Sequence, residues 1–405
     1  MRRVVVTGMG IWSCIGQDLQ TVTESLQNGR SGVVFLPERI ERGLHGGLVG
    51  NVPRPDLKPL MPRKDRVTMS EDAEYAYMAA RQAFEQAKMD EAYLLNNEVG
   101  IIWGNDGNTE KINTADIMKA ERNSLMVTGQ SAFRNATSSA LMNIGTLFHL
   151  KGIRFGVGAA CASSSHAIGL ASLFIRNGLQ QTILAGGSCE IADYGAMTVD
   201  AVGAVSLRND EPTKASRPFD KEHDGMVQSG GAAALVLEEY EHAVARGATI
   251  LAEVSGYGFS NNGEGEISMA NRDAEFTAMT RALNDAKILP SEIDYVNAHA
   301  TSTPQGDCEE AAAMSRLFAH EKAWISSTKS MTGHEDWMAG ASEAIYSIVM
   351  MQNGFIAPNI NLEHRIEEAK DLKIATRTIY QPVNLVLSNS LGMGGTNSAL
   401  VFRKL

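Results

Sequence analysis

Short apolar runs of strand length alternate along this chain with longer stretches in which apolar residues recur at helical spacing. The alternation runs through twice. RRVVVTGMG at 2–10 is an apolar strand ending in glycines, and ILAEVSGYG at 250–258 has the same form. The helical repeat of EYAYMAARQAFEQAKM (74–89) leads into the strand-like EVGIIWGN (98–105). Its later counterpart is EFTAMTRALNDAKI (275–288), which leads into IDYVNAHAT (293–301). FGVGAACASSSHAIGLASLFIRNGL (155–179) and WISSTKSMTGHEDWMAGASEAIYSIVMMQNG (324–354) each read as strand, small-residue turn and helix. GGAAALVLEE (230–239) and GGTNSALVFRK (394–404) close the two copies as buried strands.

This repetition predicts a pseudo-duplicated, layered α/β protein divided near residue 250, with halves 1–250 and 251–405. Helices rich in alanine and glycine on every side belong inside, so two sheets are expected to enclose a central helical layer. The segment 104–135 has no counterpart in the second half and reads as a pocket cap or a subunit-facing insert. The run 206–231, rich in Gly, Pro, Asn and Asp, reads as an extended surface loop.

Composition narrows the class. With 405 residues, 44% of them hydrophobic, the chain can bury a large core. The net charge of -11 argues against a nucleic-acid protein, although Arg63, Lys64 and Arg66 form a local basic patch for an acidic partner. No apolar run is long enough for membrane insertion and no signal peptide opens the chain, so a cytoplasmic location is expected. The four cysteines form no CxxC or CxxH spacing, which supports neither a disulfide framework nor a zinc site. His45, His149, His223, His242, His320 and His364 show no metal-ligand arrangement, and no metal is expected. TGMG at 7–10 lacks a complete dinucleotide fingerprint.

The candidate chemistry lies in loops at the ends of predicted strands, where α/β proteins place ligands. Cys161 sits where a strand gives way to a helix start, where unpaired N–H groups and the helix dipole favour a thiolate. His299 follows the strand IDYVN, and Lys329 and His334 follow the strand at 324–326. Lys329 in a buried loop needs a carboxylate partner, and Glu343 and Glu310 are both candidates. The run LGMGGTN at 391–397 can aim a backbone N–H into a pocket and so join the Cys161 amide in an oxyanion hole. Leu391 and Met393 add flexible apolar surface suited to an acyl gate. His166, five residues after Cys161, points into packing or a subunit contact.

The motifs VTGMG (6–10), GAACASSSHAIG (158–169), RPFDKEHDGMVQSGGAAALVLE (217–238), HATSTPQGD (299–307), STKSMTGH (327–334) and SNSLGMGGTNSALVF (388–402) resemble those of the β-ketoacyl-acyl-carrier-protein synthases. These are the condensing enzymes of the thiolase superfamily, and the resemblance spans the whole chain. It implies a five-layer αβαβα thiolase fold, a homodimer or a heterodimer with a related ketosynthase-like subunit, and an acyl carrier protein as partner. The substrates ride on the carrier's phosphopantetheine arm, with no bound cofactor. It also implies that Cys161 is the acylated nucleophile, His299 and His334 the decarboxylation histidines and Lys329 the active-site lysine. Cys161 and Met393 form the oxyanion hole, Thr301 and Thr303 contact the pantetheine arm, Glu310 is the structural acidic partner, and Arg63, Lys64 and Arg66 lie near a carrier-docking patch.

The implied reaction is decarboxylative Claisen condensation of an acyl thioester with malonyl-acyl carrier protein. Two departures from the family pattern bear on substrate. Leu391 and Met393 stand where the family has phenylalanines, and Glu335, Asp336 and Trp337 replace small or neutral residues after His334. They point toward a polyene pathway of the aryl-polyene or flexirubin type, with housekeeping fatty-acid elongation as the alternative. A noncatalytic chain-length partner is disfavoured by the presence of Cys161, His299, Lys329 and His334 together.

Overall fold

The glycines that end the two matched opening strands have a common cause. In Val4–Trp12 (β1), a Cβ on Gly8 or Gly10 would lie 2.1 Å from Ala83 O or 2.0 Å from Ala79 O, both on the helix Glu71–Gln86 (α1). In Ala252–Asn261 (β6), the same atom on Gly256 or Gly258 would meet Ala282 O at 2.3 Å or Ala278 O at 2.1 Å, on Arg272–Ala286 (α4). Helix backbone rests directly on strand backbone in both places, and any side chain would push the pair apart.

Around these two contacts the computed structural model, which describes every residue except 266, 268 and 269 and only the backbone at position 194, builds one motif twice. The first copy runs β1, α1, Val99–Gly104 (β2), Ser139–Leu147 (α2), Arg154–Val157 (β3), Ser163–Arg176 (α3), Thr182–Cys189 (β4) and Gly231–Glu239 (β5). The second runs β6, α4, Tyr295–Asn297 (β7), Pro304–Phe318 (α5), Trp324–Ser326 (β8), Ala339–Asn353 (α6), Leu385–Gly392 (β9) and Thr396–Arg403 (β10). Strand order is β1-β5-β4-β2-β3 in one copy and β6-β10-β9-β7-β8 in the other.

The two sets of strands are joined. β1 lies antiparallel to β6 through Val5 opposite Glu253 and Val6 opposite Ala252, so the expected pair of sheets is one ladder of ten. The seam is short enough for the ladder to fold over its central helices. α3 packs on β2 and β4 of its own copy and also on β6 and β10, while α6 packs on β9 and on β1, β4 and β5. Every residue from Ala339 to Met351 in α6 is buried, which is why this helix carries apolar and small residues all round. One apolar core fills the space around α3 and α6, and two others lie beneath the outer helices. Helix, strand, helix, strand, helix is the five-layer arrangement.

Two loop readings need correction. Residues 215–220 and 225–230 of the supposed surface loop are buried, because their polar groups are bonded to the loops of the candidate site. In the insert 104–135, no residue lines the site cavity, so it is not a cap. Its helix Glu110–Glu121 has no buried residue, and Ile117, Leu125 and Phe133 are exposed. Among the described residues no helix is long and apolar enough to cross a membrane.

Candidate active site

A cavity of about 410 Å³ opens where the strand ends of the two copies meet, and Cys161, His299, Thr301, Thr303, His334, Leu391 and Met393 all line it. Cys161 is delivered by the connection between β3 and α3. Ala160 adopts a left-handed φ of 44° and donates its N–H to Asp106 Oδ2 at 2.7 Å, while the Ala159 N–H donates to Ser163 Oγ at 2.9 Å. These bonds turn the chain so that the sulfur faces the cavity just before the helix. The β9–β10 hairpin reaches over it: a Cβ on Gly392 would stand 2.7 Å from Ala159 O, so only glycine lets the two loops close. As a result the backbone N–H groups of Met393 and of Cys161 itself both favour the thiolate.

The thiol is not the ready thiolate that its helix start suggests. Burial pushes it up to about 12, helped by the negative charge of Asp336 and opposed by those two N–H groups and by Lys329. Desolvation outweighs the helix terminus because Cys161 is only 8% exposed.

His299 and His334 come from the second copy. The Glu310 carboxylate accepts the backbone N–H of His299 at 2.8 Å and of Ala300 at 2.6 Å, with a third bond from Asn389 Nδ2 at 3.0 Å. Glu310 therefore shapes the His299 loop and is not the partner of Lys329. His334 is clamped by the segment before β5, donating its N–H to Val227 O at 2.7 Å and accepting the Ser229 N–H at 2.8 Å. Gly333 has a φ of 68°, and a Cβ there would lie 2.6 Å from Val227 O.

The two rings meet edge to face with centroids 5.1 Å apart. Cys161 Sγ and a nitrogen of each ring lie within 4.8 Å of one another. Such a trio could also hold a soft metal ion; the reaction proposed below uses the three groups unmetallated. Burial, then the positive charge of Lys329, holds both histidines well below the ordinary range, so both imidazoles are neutral. His299 Nδ1 and both nitrogens of His334 have no hydrogen-bond partner among the described residues, which leaves them for a substrate.

Lys329 is 1% exposed and its ammonium is bonded to Glu343 on α6, which settles the choice between the two carboxylates. Thr301 and Thr303 share a hydroxyl hydrogen bond of 2.9 Å on the cavity wall. Arg63 and Lys64 are exposed on the short helix Arg63–Arg66, Arg66 is half-buried, and none of the three lines the cavity. His166 bridges the copies, bonded to Tyr257 Oη at 2.6 Å and Thr396 Oγ1 at 3.0 Å.

Comparison with known proteins decides the family. The description "Beta-ketoacyl synthase, N-terminal domain" matches residues 1–243 and "Beta-ketoacyl synthase, C-terminal domain" matches 251–363. This chain belongs to the β-ketoacyl synthase family. It is 41% identical to 3-oxoacyl-[acyl-carrier-protein] synthase 1 of Escherichia coli (strain K12), over 100% of both chains. A solved β-ketoacyl synthase from Burkholderia phymatum STM815 superposes with a TM-score of 0.95 at 36% identity, covering both chains fully. A type II PKS acyl-carrier protein structure, in complex with its ketosynthase bound to the hexaketide, matches with a TM-score of 0.87 at 27% identity, over 100% of this chain and 99% of that one.

The synthase is thus an acyltransferase-class condensing enzyme on a thiolase fold. Three groups at its site escaped sequence reasoning. Asp106 holds the nucleophile turn, and the duplication was a usable signal, because the loop after β2 is the counterpart of the loop after β7 that carries His299. Asn397, bonded to Ser260 Oγ at 3.3 Å and Asn262 Oδ1 at 3.1 Å, closes the LGMGGTN run but was given no role there, and Glu275, in an ordinary helical repeat, lines the cavity with no motif to mark it.

Proposed function

We propose that this synthase joins an acyl thioester to malonyl-acyl carrier protein with loss of carbon dioxide, giving a β-ketoacyl-acyl carrier protein two carbons longer. The observation that carries the reading is the meeting of one thiol from the first copy with two neutral imidazoles from the second, inside a cavity roofed by backbone N–H donors.

In the first half-reaction Cys161 attacks the acyl thioester. Its proton passes to a neutral ring nitrogen and then to the departing carrier thiolate, while the N–H groups of Cys161 and Met393 hold the tetrahedral oxyanion. In the second, the malonyl thioester oxygen accepts hydrogen bonds from His299 and His334, and carbon dioxide leaves as the enolate forms. That carbanion attacks the acyl carbon, the new carbon–carbon bond forms, and the carbon–sulfur bond to Cys161 breaks, the released thiolate taking a proton from water to restore the thiol. Burial, then Lys329, which Glu343 holds, keeps both resting rings neutral, so in this second half-reaction they act as hydrogen-bond donors. Thr301 and Thr303 contact the phosphopantetheine arm, the only cofactor the reaction uses, and Arg63, Lys64 and Arg66 receive the acidic carrier. A cytoplasmic setting is part of the reading, because a thiol nucleophile among four free cysteines must stay reduced. So is dimerisation, homotypic or with a related subunit, through β3, an edge strand with Arg154 and Gly156 exposed.

Two acyl classes compete. Leu391 and Met393 on the cavity wall, with Met393 half-exposed, favour an unsaturated chain of the aryl-polyene or flexirubin type. The 41% identity to a 3-oxoacyl-[acyl-carrier-protein] synthase favours the alternative, housekeeping fatty-acid elongation. Intact-mass measurement of Cys161 after exposure to matched saturated and polyunsaturated acyl-carrier proteins separates them, and efficient loading of saturated chains alone would sink the polyene assignment. Absence of carbon dioxide release from malonyl-carrier protein, alone and with a partner subunit, would sink the condensation itself.

A further inference from the structure

Glu275 has no task in the reaction as derived. It stands in the first turn of α4, 2% exposed, yet lines the same cavity as Cys161, Thr301 and Thr303. Its Oε2 is buried with no hydrogen-bond partner among the described residues. Leaving such an oxygen unbonded is costly, so a carboxyl kept there is suited to a partner that arrives from outside. The surrounding groups are already engaged. Glu310 accepts three N–H groups, and the Arg272 guanidinium is turned to Glu309, with Nε 2.9 Å from Oε2. Burial, then the negative charges of Glu310 and Glu309, raises Glu275 well above the usual carboxylate range. It is therefore a neutral acid whose O–H is a donor, in a cavity whose threonine hydroxyls come from a different element.

We propose that Glu275 is a further substrate-binding group, holding a secondary amide of the thioester-bearing arm by donating its O–H to the amide carbonyl oxygen. This rests on the condensing reading above, and it adds the recognition of the arm itself: an amide-bearing thiol ester is retained in the cavity and a plain alkyl thiol ester is not.

The test measures acylation of Cys161 by intact mass with two probes, hexanoyl-pantetheine, which carries two amides, and S-ethyl hexanethioate, which carries none. With E275A the rate constant kcat/KM for hexanoyl-pantetheine should fall about tenfold, chiefly through KM, the scale of one neutral hydrogen bond. The S-ethyl ester should react as in the wild type. E275Q, which keeps the shape and an N–H donor, should stay within about threefold of the wild type for both probes. If E275A slows both probes equally or neither, or if E275Q is as slow as E275A with hexanoyl-pantetheine, the role given to Glu275 is overturned. If wild-type Cys161 takes up no acyl group from either probe, the condensing reading falls and this proposal with it.

Discussion

The β3–α3 corner and the β8–α6 corner occupy equivalent places in the two copies, yet they are built to different plans. The first spans residues 158–162, and the second spans 327–338. Five residues leave no room for a set of functional side chains. The short corner offers one sulfur and its own backbone N–H, and it is held by neighbours in its own copy, Asp106 and Ser163. The long corner holds a short helix at Lys329–Thr332, the left-handed Gly333, His334, and a left-handed Asp336 with φ 43°. That extra chain cannot support itself. The segment 206–231 braces it from the first copy, through Ser216 Oγ to Lys329 O at 2.7 Å and the two backbone bonds that clamp His334. Duplication supplies two alike corners at one cavity; the length of each connection decides which becomes the nucleophile and which the group that manages charge.

The sharpest way to break this comparison is to disable one corner and read the other. C161A should abolish condensation, a loss beyond about 10³-fold, while release of carbon dioxide from malonyl-carrier protein continues. H334A should do the reverse: carbon dioxide release falls roughly 10²- to 10⁴-fold, and Cys161 still takes up an acyl group by intact mass. If either variant removes both half-reactions, the division of labour between corners is wrong.

The next largest effect concerns the buried pair beneath the long corner. Lys329 and Glu343 are both 1% exposed. Burial, against the pull of Lys329, brings Glu343 up to about 8, so this carboxyl can take a proton if its partner goes. K329M should therefore cost little in melting temperature, whereas E343Q leaves the ammonium buried and unpaired at a cost of about 3–5 kcal/mol. Equal melting temperatures for the two variants would contradict the asymmetry.

The contrast between corners was partly visible in the letters. Periodicity exposes matched strands and helices because burial on one face imposes it, and Cys161, His299, Lys329 and His334 stand out because each follows an apolar strand. The seam between β1 and β6 rests on two residue pairs and leaves no periodic trace, so one ladder could not be told from two sheets. The brace 206–231 was misread for a physical reason. Its prolines, aspartates and glycines have turn composition, but their polar groups are bonded inside: Asp220, fully buried, accepts the N–H of Glu363 and of His364 at 2.7 Å each. The state of the Cys161 thiol was misread because a helix start is a local feature and burial is not. Glu343 and Glu310 were equal candidates for Lys329 until the fold placed one on α6 and the other under the His299 loop.

The smallest predicted effect links the corners directly. Of the three unusual residues after His334, Glu335 turns into the core, bonded to Ser342 and to Tyr346 Oη at 2.8 Å, and Trp337 packs over Gly107. Asp336 turns toward the chemistry. Its Oδ1 lies 4.0 Å from His334 Nε2, its Oδ2 accepts from Gln228 Nε2 at 3.4 Å, and it is the second cause, after burial, of the raised thiol of Cys161. Burial brings Asp336 itself up to about 7. Below pH 7 the carboxyl is neutral and the sulfur does not sense it. As pH rises through 7 the proton leaves, and a negative charge beside the sulfur disfavours the thiolate. His334 gives no compensation, since burial and Lys329 set its state. D336N and wild type should thus be acylated alike at pH 6, and D336N should be faster at pH 8 by about threefold to tenfold. Parallel pH profiles for the two would show that the long corner does not reach across the cavity to tune the short one.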